Sequence, residues 1–269
     1  MSSAAWLRHF GLSASPFSKD LDDHELWLPS RRAALVGDLL EAVHARQHIL
    51  LTGEPGVGKT CTLRALRARL PAANFRLTYC HNATLGRRDF YRQLCLALGL
   101  APKATAAAVF YAVSGHIELL GKERVHPVFL LDEAHLLHQD VLDHLHVLGN
   151  YEWDQKPLLS LILVGLPELE ARMRLARNRS LWSRVHTRLR LGDALPEDTA
   201  EYLASRLGTA GKTAADLFDS GAIAMLHEAT LGRLRDIDRI GTDCLRLAAR
   251  RGLSRIDAAL VQTAAQDAA

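Results

Sequence analysis

Apolar residues follow two rhythms along this chain. Short, nearly continuous apolar runs of strand length occur at His48–Thr52, Asn74–Tyr79, Pro127–Asp132 and Leu158–Val164, with a weaker one at Val185–Leu191. Between them lie stretches whose apolar positions recur three or four apart, the spacing of one helix face. These are Arg31–Arg46, Lys59 to about Leu70, Arg87–Leu98 and Ala106–Leu120, stopped by Pro71, Gly99 and Gly121. Strands without polar alternation are covered on both faces, and strands alternating with helices predict parallel βαβ units. After Pro196 the strand-type runs cease. Glu197–Leu207, Ser220–Ala229, Arg233–Arg251 and Ser254–Ala265 read as helices, with Ser220 and Ser254 as expected N-caps.

The pattern therefore predicts an α/β fold with a parallel sheet over residues 31–194, followed by a small all-helical domain over 195–269. Residues 1–30 are expected to form an irregular segment that packs on the α/β core through Trp6, Phe10, Phe17 and Trp27. The alanine-rich end, Ala264–Ala269, is expected to fray.

Composition narrows the class. The chain has 269 residues, 48% of them hydrophobic and 23% charged, enough to bury a sizeable core. The longest apolar run, Leu158–Leu166, has nine residues, against about 20 needed to span a bilayer. No membrane association is expected. Cys61, Cys80, Cys95 and Cys244 show no C-x-x-C spacing, which argues against a disulfide scaffold or zinc finger and suits a reducing, cytoplasmic location. The formal charge of +3 hides an asymmetry. Ala171–Arg190 holds seven arginines and no acid, while the other residues carry 26 basic against 30 acidic side chains.

Two motifs carry chemistry. Gly53-Glu-Pro-Gly-Val-Gly-Lys-Thr60 satisfies G-x-x-x-x-G-K-[ST] between an apolar strand and a helix. Its glycines let consecutive backbone N–H groups curl around phosphates, and the helix start adds its positive end. Residues Gly53, Glu54, Pro55, Gly56, Val57, Gly58, Lys59, Thr60 and Cys61 are thus the expected ATP contacts. Lys59 would serve the β- and γ-phosphates and Thr60 would give its hydroxyl to Mg2+. Val128-Phe-Leu-Leu-Asp-Glu-Ala-His135 is an apolar strand ending in two carboxylates. A carboxylate at a buried strand tip is expensive unless it meets a cation. Asp132 would do so through magnesium-bound water, and Glu133 is placed to act as general base.

With these motifs in hand, the chain resembles AAA+ ATPases of the ExeA/general secretion pathway A-like group. Short members of that group are similar to the ATPase subunits of transposition systems (the TnsC, TniB, IstB and MuB group). Phe10-Gly-Leu-Ser-Ala-Ser-Pro-Phe17 resembles the family's F-G-L-x-x-x-P-F opening, and Leu163-Val-Gly-Leu-Pro-Glu-Leu169 its L-V-G-Q-P-E-L segment. Ser183-Arg-Val185 resembles the Q-R-I before the last core strand, and Gly232-Arg-Leu-Arg235 the lid's G-x-x-R. The resemblance implies an AAA+ core with a helical lid, Arg235 as the sensor-2 arginine, and an arginine finger acting on a neighbour's ATP. For the finger Arg184 leads and Arg179 is second. The chain departs from the family at Leu166, where the sensor-1 position carries glutamine. An apolar side chain there cannot hydrogen-bond water or phosphate, which bears on the hydrolysis rate.

The arginine segment admits three readings: a finger-bearing subunit interface, a sequence-tolerant nucleic-acid surface built on Arg172, Arg174 and Arg177, or a solvated basic face. Arg235 could instead pair with Asp236 or Asp238. His135 and His138 read as surface or capping histidines, and Cys61 as a side chain packed on the sheet. The resemblance implies an ATPase that binds ATP-Mg and hydrolyses it slowly, controlling assembly of a homo-oligomeric ring or filament on double-stranded DNA. The implied partner is a transposase, with this chain selecting target DNA. Two other readings stand beside it: a non-DNA ATPase of secretion or protein remodelling, and a nucleotide switch with negligible turnover.

Overall fold

Five strands form where the apolar runs predict them: β1 (His48–Gly53), β2 (Phe75–Cys80), β3 (His126–Leu131), β4 (Ser160–Gly165) and β5 (Val185–Leu191). They make one parallel sheet in the order β2-β3-β4-β1-β5. This is a computed structural model that describes residues 3–80, 84–101, 105–151 and 156–267. The helices are α1 (Ser3–Phe10), α2 (Ser30–His44), α3 (Lys59–Arg69), α4 (Arg87–Ala97), α5 (Ala106–Lys122), α6 (Gln139–Leu148), α7 (Pro167–Met173) and α8 (Arg179–Trp182), then α9 (Pro196–Thr209), α10 (Ala214–Leu217), α11 (Ser220–Thr230), α12 (Leu234–Arg250) and α13 (Ala258–Asp267). Among the described residues no helix is long and apolar enough to cross a membrane.

The chain divides into two compact units. One comprises Arg31–Glu54 and Thr62–Leu191; the other comprises Met1–Ser30, Pro55–Cys61 and Gly192–Ala269. In the first, β1, β3 and β4 are buried at every residue, whereas β2 and β5 at the sheet edges are only partly buried. That explains why β5 is the weakest strand signal in the sequence. One face of the sheet, with Leu50, Phe129, Leu131, Leu161 and Leu163, packs against Phe90 and Leu94 of α4, Val113 and Ile117 of α5, and Leu142 and Leu145 of α6. Each such side chain contributes about 1.5–3 kcal/mol by leaving water.

In the second unit α12 has buried residues Leu234, Ile237, Ile240, Gly241, Cys244, Leu245 and Ala248, a stripe of three- and four-residue steps that demands a partner. It packs with α11 and α13, and α1 lies against it as well. Here the structure corrects the expected role of residues 1–30. They open with a helix, and Trp6, Phe10 and Phe17 enter the core of the helical unit rather than packing on the α/β core. Trp6 and Phe10 are four apart and so share one face of α1, which gives the helix a stripe to bury. The Ser13 N–H donates to the Ala210 carbonyl (3.1 Å), and Arg206 donates to the Ser18 carbonyl. Two caps also move. Asp219, not Ser220, accepts from the Ala222 N–H at 2.7 Å, and Asp257, not Ser254, accepts from Leu260 at 2.9 Å. The ionised carboxylate is the stronger acceptor at a helix start. Of the alanine-rich end expected to fray, residues 264–267 continue α13, and Ala268 and Ala269 lie outside the described residues.

At the N-terminal edge of the sheet, buried polar groups satisfy one another. His48 Nδ1 accepts from the Leu161 N–H at 3.2 Å, and the His126 ring lies 2.9 Å from Ser160 Oγ. Burial, followed by the nearby Arg46 and His48, pulls the His126 pKa from 6.5 down to about 4. The folded protein therefore keeps His126 neutral where the unfolded chain would protonate it, so stability falls as pH drops from 6.5 to about 4. His126→Gln should remove this dependence. Denaturant unfolding at pH 7 and pH 4.5 should show the native protein losing up to about 3 kcal/mol more than the variant.

Candidate nucleotide site

The site begins where β1 stops. Gly53 is the last residue of β1, and α3 begins at Lys59. Between them Gly56 and Gly58 take φ values of +84° and +100°, which a residue with a Cβ adopts only under strain. Turns of this kind point successive backbone N–H groups toward the start of α3, the positive end of its dipole and a favourable place for an anion. Lys59, the first residue of α3, is buried, and its ammonium is the charge that a polyphosphate at this helix start would meet. Thr60, in the first turn of α3, is exposed, while Cys61 is half-buried. In the same unit the Arg235 N–H donates to the Gly56 carbonyl at 3.2 Å, and a Cβ on Gly56 would lie 3.0 Å from Arg235 Cβ. The lid arginine is therefore anchored by its backbone to the phosphate loop, with an exposed side chain. Its sequence alternatives are otherwise engaged: Asp236 pairs with Arg239 and Asp238 with Arg206.

In the α/β unit the parallel register aligns strand ends. Leu51 lies beside Val164 and Leu131 beside Leu163, so β1 and β3 finish on the same sheet edge with β4 between them. Two strand spacings, about 10 Å, separate Gly53–Glu54 from Asp132. Ligands of open parallel sheets bind in such crevices at the carboxyl ends of the strands. Asp132 is 9% exposed and both its oxygens are engaged. Oδ1 accepts from the Glu133 N–H at 2.9 Å, and Oδ2 accepts from the Tyr79 hydroxyl at 2.9 Å. Burial and the Asp132 acceptor push the Tyr79 pKa up to about 12, so its proton stays on the donor. Glu133 has φ +52°, a left-handed conformation costly for a residue with a Cβ, and its side chain is 50% exposed. One carboxylate is thus fixed while the next projects outward. The Asp132 carboxylate is a hard oxygen donor of the type that suits Mg2+.

Leu166 directly follows β4. Its backbone N–H meets His135 Nδ1 at 3.5 Å, and the other ring nitrogen of His135 lies 3.5 Å from Glu133 Oε2. His135 sits in a single 3-10 turn, Ala134–Leu136, with only 15% of its side chain exposed. The expected surface or capping role is therefore corrected: His135 is sandwiched between the acidic turn and β4. Tyr79 and His135 are the two site residues that the sequence reading missed. His135 closes the Asp-Glu-Ala-His run; Tyr79 carries no signal until β2 pairs with β3.

The seven arginines separate into different roles. Arg172 donates to the His135 carbonyl at 2.9 Å, Arg174 to Glu170 at 2.5 Å and Arg177 to Asp143 at 3.4 Å. Each of the three thus has a partner within the unit, while the side chains of Arg174 and Arg177 stay largely exposed. Arg188 stacks on Trp182, 3.7 Å from the ring centroid. His186, Arg188 and Arg190 are the exposed alternate residues of the edge strand β5, and Arg179 is exposed at the start of α8. Arg184 donates to the Ser180 carbonyl at 3.0 Å just before β5. Its neighbour Val185 is paired with His48, the first residue of β1. Arg184 therefore lies at the N-terminal edge of the sheet, about 20 Å from where β1 enters the phosphate loop. The other site residues of this unit share the opposite edge.

Residues 42–173 match the AAA domain family. The chain is 31% identical over 254 residues to general secretion pathway protein A of Aeromonas hydrophila, covering 93% of this chain and 46% of that protein. It thus spans about half the length of that curated relative. Among solved structures, Cdc6p of Pyrobaculum aerophilum superposes with a TM-score of 0.71 at 17% identity, covering 94% of this chain and 70% of that one. Drosophila ORC bound to DNA gives 0.70 at 18% identity, covering 98% and 65%. Aeropyrum pernix ORC1 in complex with DNA gives 0.67 at 18% identity, covering 94% and 68%. At such identities these structures establish the fold alone. With the parallel sheet, phosphate loop and acidic strand end already in place, these likenesses give the chain the α/β fold of P-loop AAA+ proteins, an AAA-type domain over residues 42–173, and a similarity over most of its own length to general secretion pathway protein A.

Proposed function

We propose that this chain is a self-assembling AAA+ ATPase whose ATP-bound state forms an oligomer on double-stranded DNA, presenting target DNA to a transposase. The observation that carries the oligomer is the position of Arg184. An arginine about 20 Å from its own phosphate loop cannot reach that loop's γ-phosphate, but it can serve the site of an adjacent copy. Within one site, Lys59 and the loop N–H groups bind the phosphates, Thr60 and Asp132 hold Mg2+, and Arg235 ties the lid to the nucleotide. Mg2+, when bound, neutralises charge that develops on the phosphates. Glu133, half exposed and beside the fixed Asp132, accepts the proton of the attacking water. The DNA reading is supported by the row His186, Arg188 and Arg190 on the exposed side of β5. Alternate residues there stand about 7 Å apart, close to the phosphate repeat of one DNA strand.

A second reading has one observation in its favour: the likeness to general secretion pathway protein A. In that case the same ATP-gated assembly would act on a protein complex rather than on DNA. DNA binding separates the two. Binding to duplex DNA should require ATP, tolerate any sequence and weaken steeply with salt. Arg188→Gln with Arg190→Gln should reduce the slope of log affinity against log salt by about 1.8, two phosphate contacts' worth. No binding at low salt with ATP would favour the secretion reading.

The nucleotide roles are tested by two substitutions. Lys59→Ala should lose binding of a fluorescent ATP analogue while keeping the native unfolding midpoint. Glu133→Gln should bind it normally and lose turnover by about a hundredfold or more.

The finger is tested by mixing. Arg184→Ala should bind ATP yet fail to hydrolyse it, and Lys59→Ala should be equally inactive. Together they should recover activity, because a Lys59→Ala subunit lends its Arg184 to an intact neighbouring loop. No recovery at any ratio, with Arg179→Ala giving the rescue instead, would move the finger to Arg179.

A further inference from the structure

We infer that His135 is a positioning residue for hydrolysis: its imidazole holds one oxygen of the Glu133 carboxylate and ties it to the backbone of Leu166 at the tip of β4. The inference rests on the reading of Glu133 as general base. The Leu166 backbone N–H can only donate, so His135 Nδ1, 3.5 Å away, is the acceptor. The ring proton then sits on Nε2, and Nε2 faces Glu133 Oε2 at 3.5 Å. One ring therefore spans two points whose orientation matters. Holding Oε2 leaves Oε1 to address water, and restrains a side chain that is otherwise half exposed and free to rotate.

The surroundings are built to keep the ring there. Arg172 Nη1 donates to the His135 carbonyl at 2.9 Å and Nη2 to Gln139 Oε1 at 3.4 Å, fixing the turn from below. Gly165 leaves room for it: a Cβ at that position would stand 3.2 Å from both His135 N and Nδ1, and 2.9 Å from Leu169 Cδ2. Leu166 has no polar side chain to offer at the position between β3 and β1. Its N–H, relayed through His135, restores a polar link from β4 to the base.

Steady-state ATPase of the full chain tests this, alongside ATP-analogue affinity and the thermal midpoint. His135→Ala should lower kcat tenfold to a hundredfold with KM, affinity and midpoint near native values. His135→Gln, whose amide N–H can reach the Nε2 position, should recover most of the rate, and added imidazole should raise turnover of His135→Ala but not of His135→Phe. Native kcat in His135→Ala, while Glu133→Gln is inactive, would overturn the inference and leave the base assignment standing. A fall in kcat matched by lost affinity or midpoint, without rescue by glutamine or imidazole, would make His135 a structural residue. Full activity of Glu133→Gln would remove the base itself, and the inference with it.

Discussion

β1, β3 and β4 are buried at every residue, so polar groups are tolerable only where these strands stop. Parallel pairing then places all the stops of one kind on one edge. At the carboxyl edge stand Gly53, Asp132 and Leu166; at the amino edge stand His48, His126, Ser160 and, just before β5, Arg184. The amino edge closes its polar groups on one another. The carboxyl edge instead ends in a turn of two carboxylates, Asp132 and Glu133, and so is fit for a charged ligand.

Asp132 and Glu133 illustrate how adjacent identical charges acquire different tasks. Asp132 has both oxygens taken by donors and is nearly covered, so it is rigid and fit to hold a cation's water shell. Glu133 lies in a left-handed backbone conformation that costs roughly 1 kcal/mol or more, and its side chain is half exposed. The His135 contact then limits how far the freed side chain wanders.

The helical unit answers to a different constraint. Its amphipathic helix α12 has an apolar stripe too wide for α11 and α13 alone to characterise the core, and the aromatic residues of the first 17 positions complete it. The same unit carries Arg235 against Gly56, so the lid arginine and the phosphate loop share one packed body.

Local chemistry alone determined the five strands, the phosphate loop, the paired carboxylates and the helical ending, because apolar period, glycine spacing and charge at a strand tip act within a few residues. Only the tertiary structure decided matters between residues far apart. It sent Trp6, Phe10 and Phe17 into the helical core, since a helix face reveals that it must be buried but not against what. It paired Arg172, Arg174 and Arg177 with His135, Glu170 and Asp143 and set Arg188 and Arg190 on the exposed side of β5, so one basic run in sequence became separate groups in space. It brought Tyr79 to Asp132 across 53 positions and His135 to Leu166 across 31, because strand order, which no local periodicity encodes, fixes which ends are neighbours.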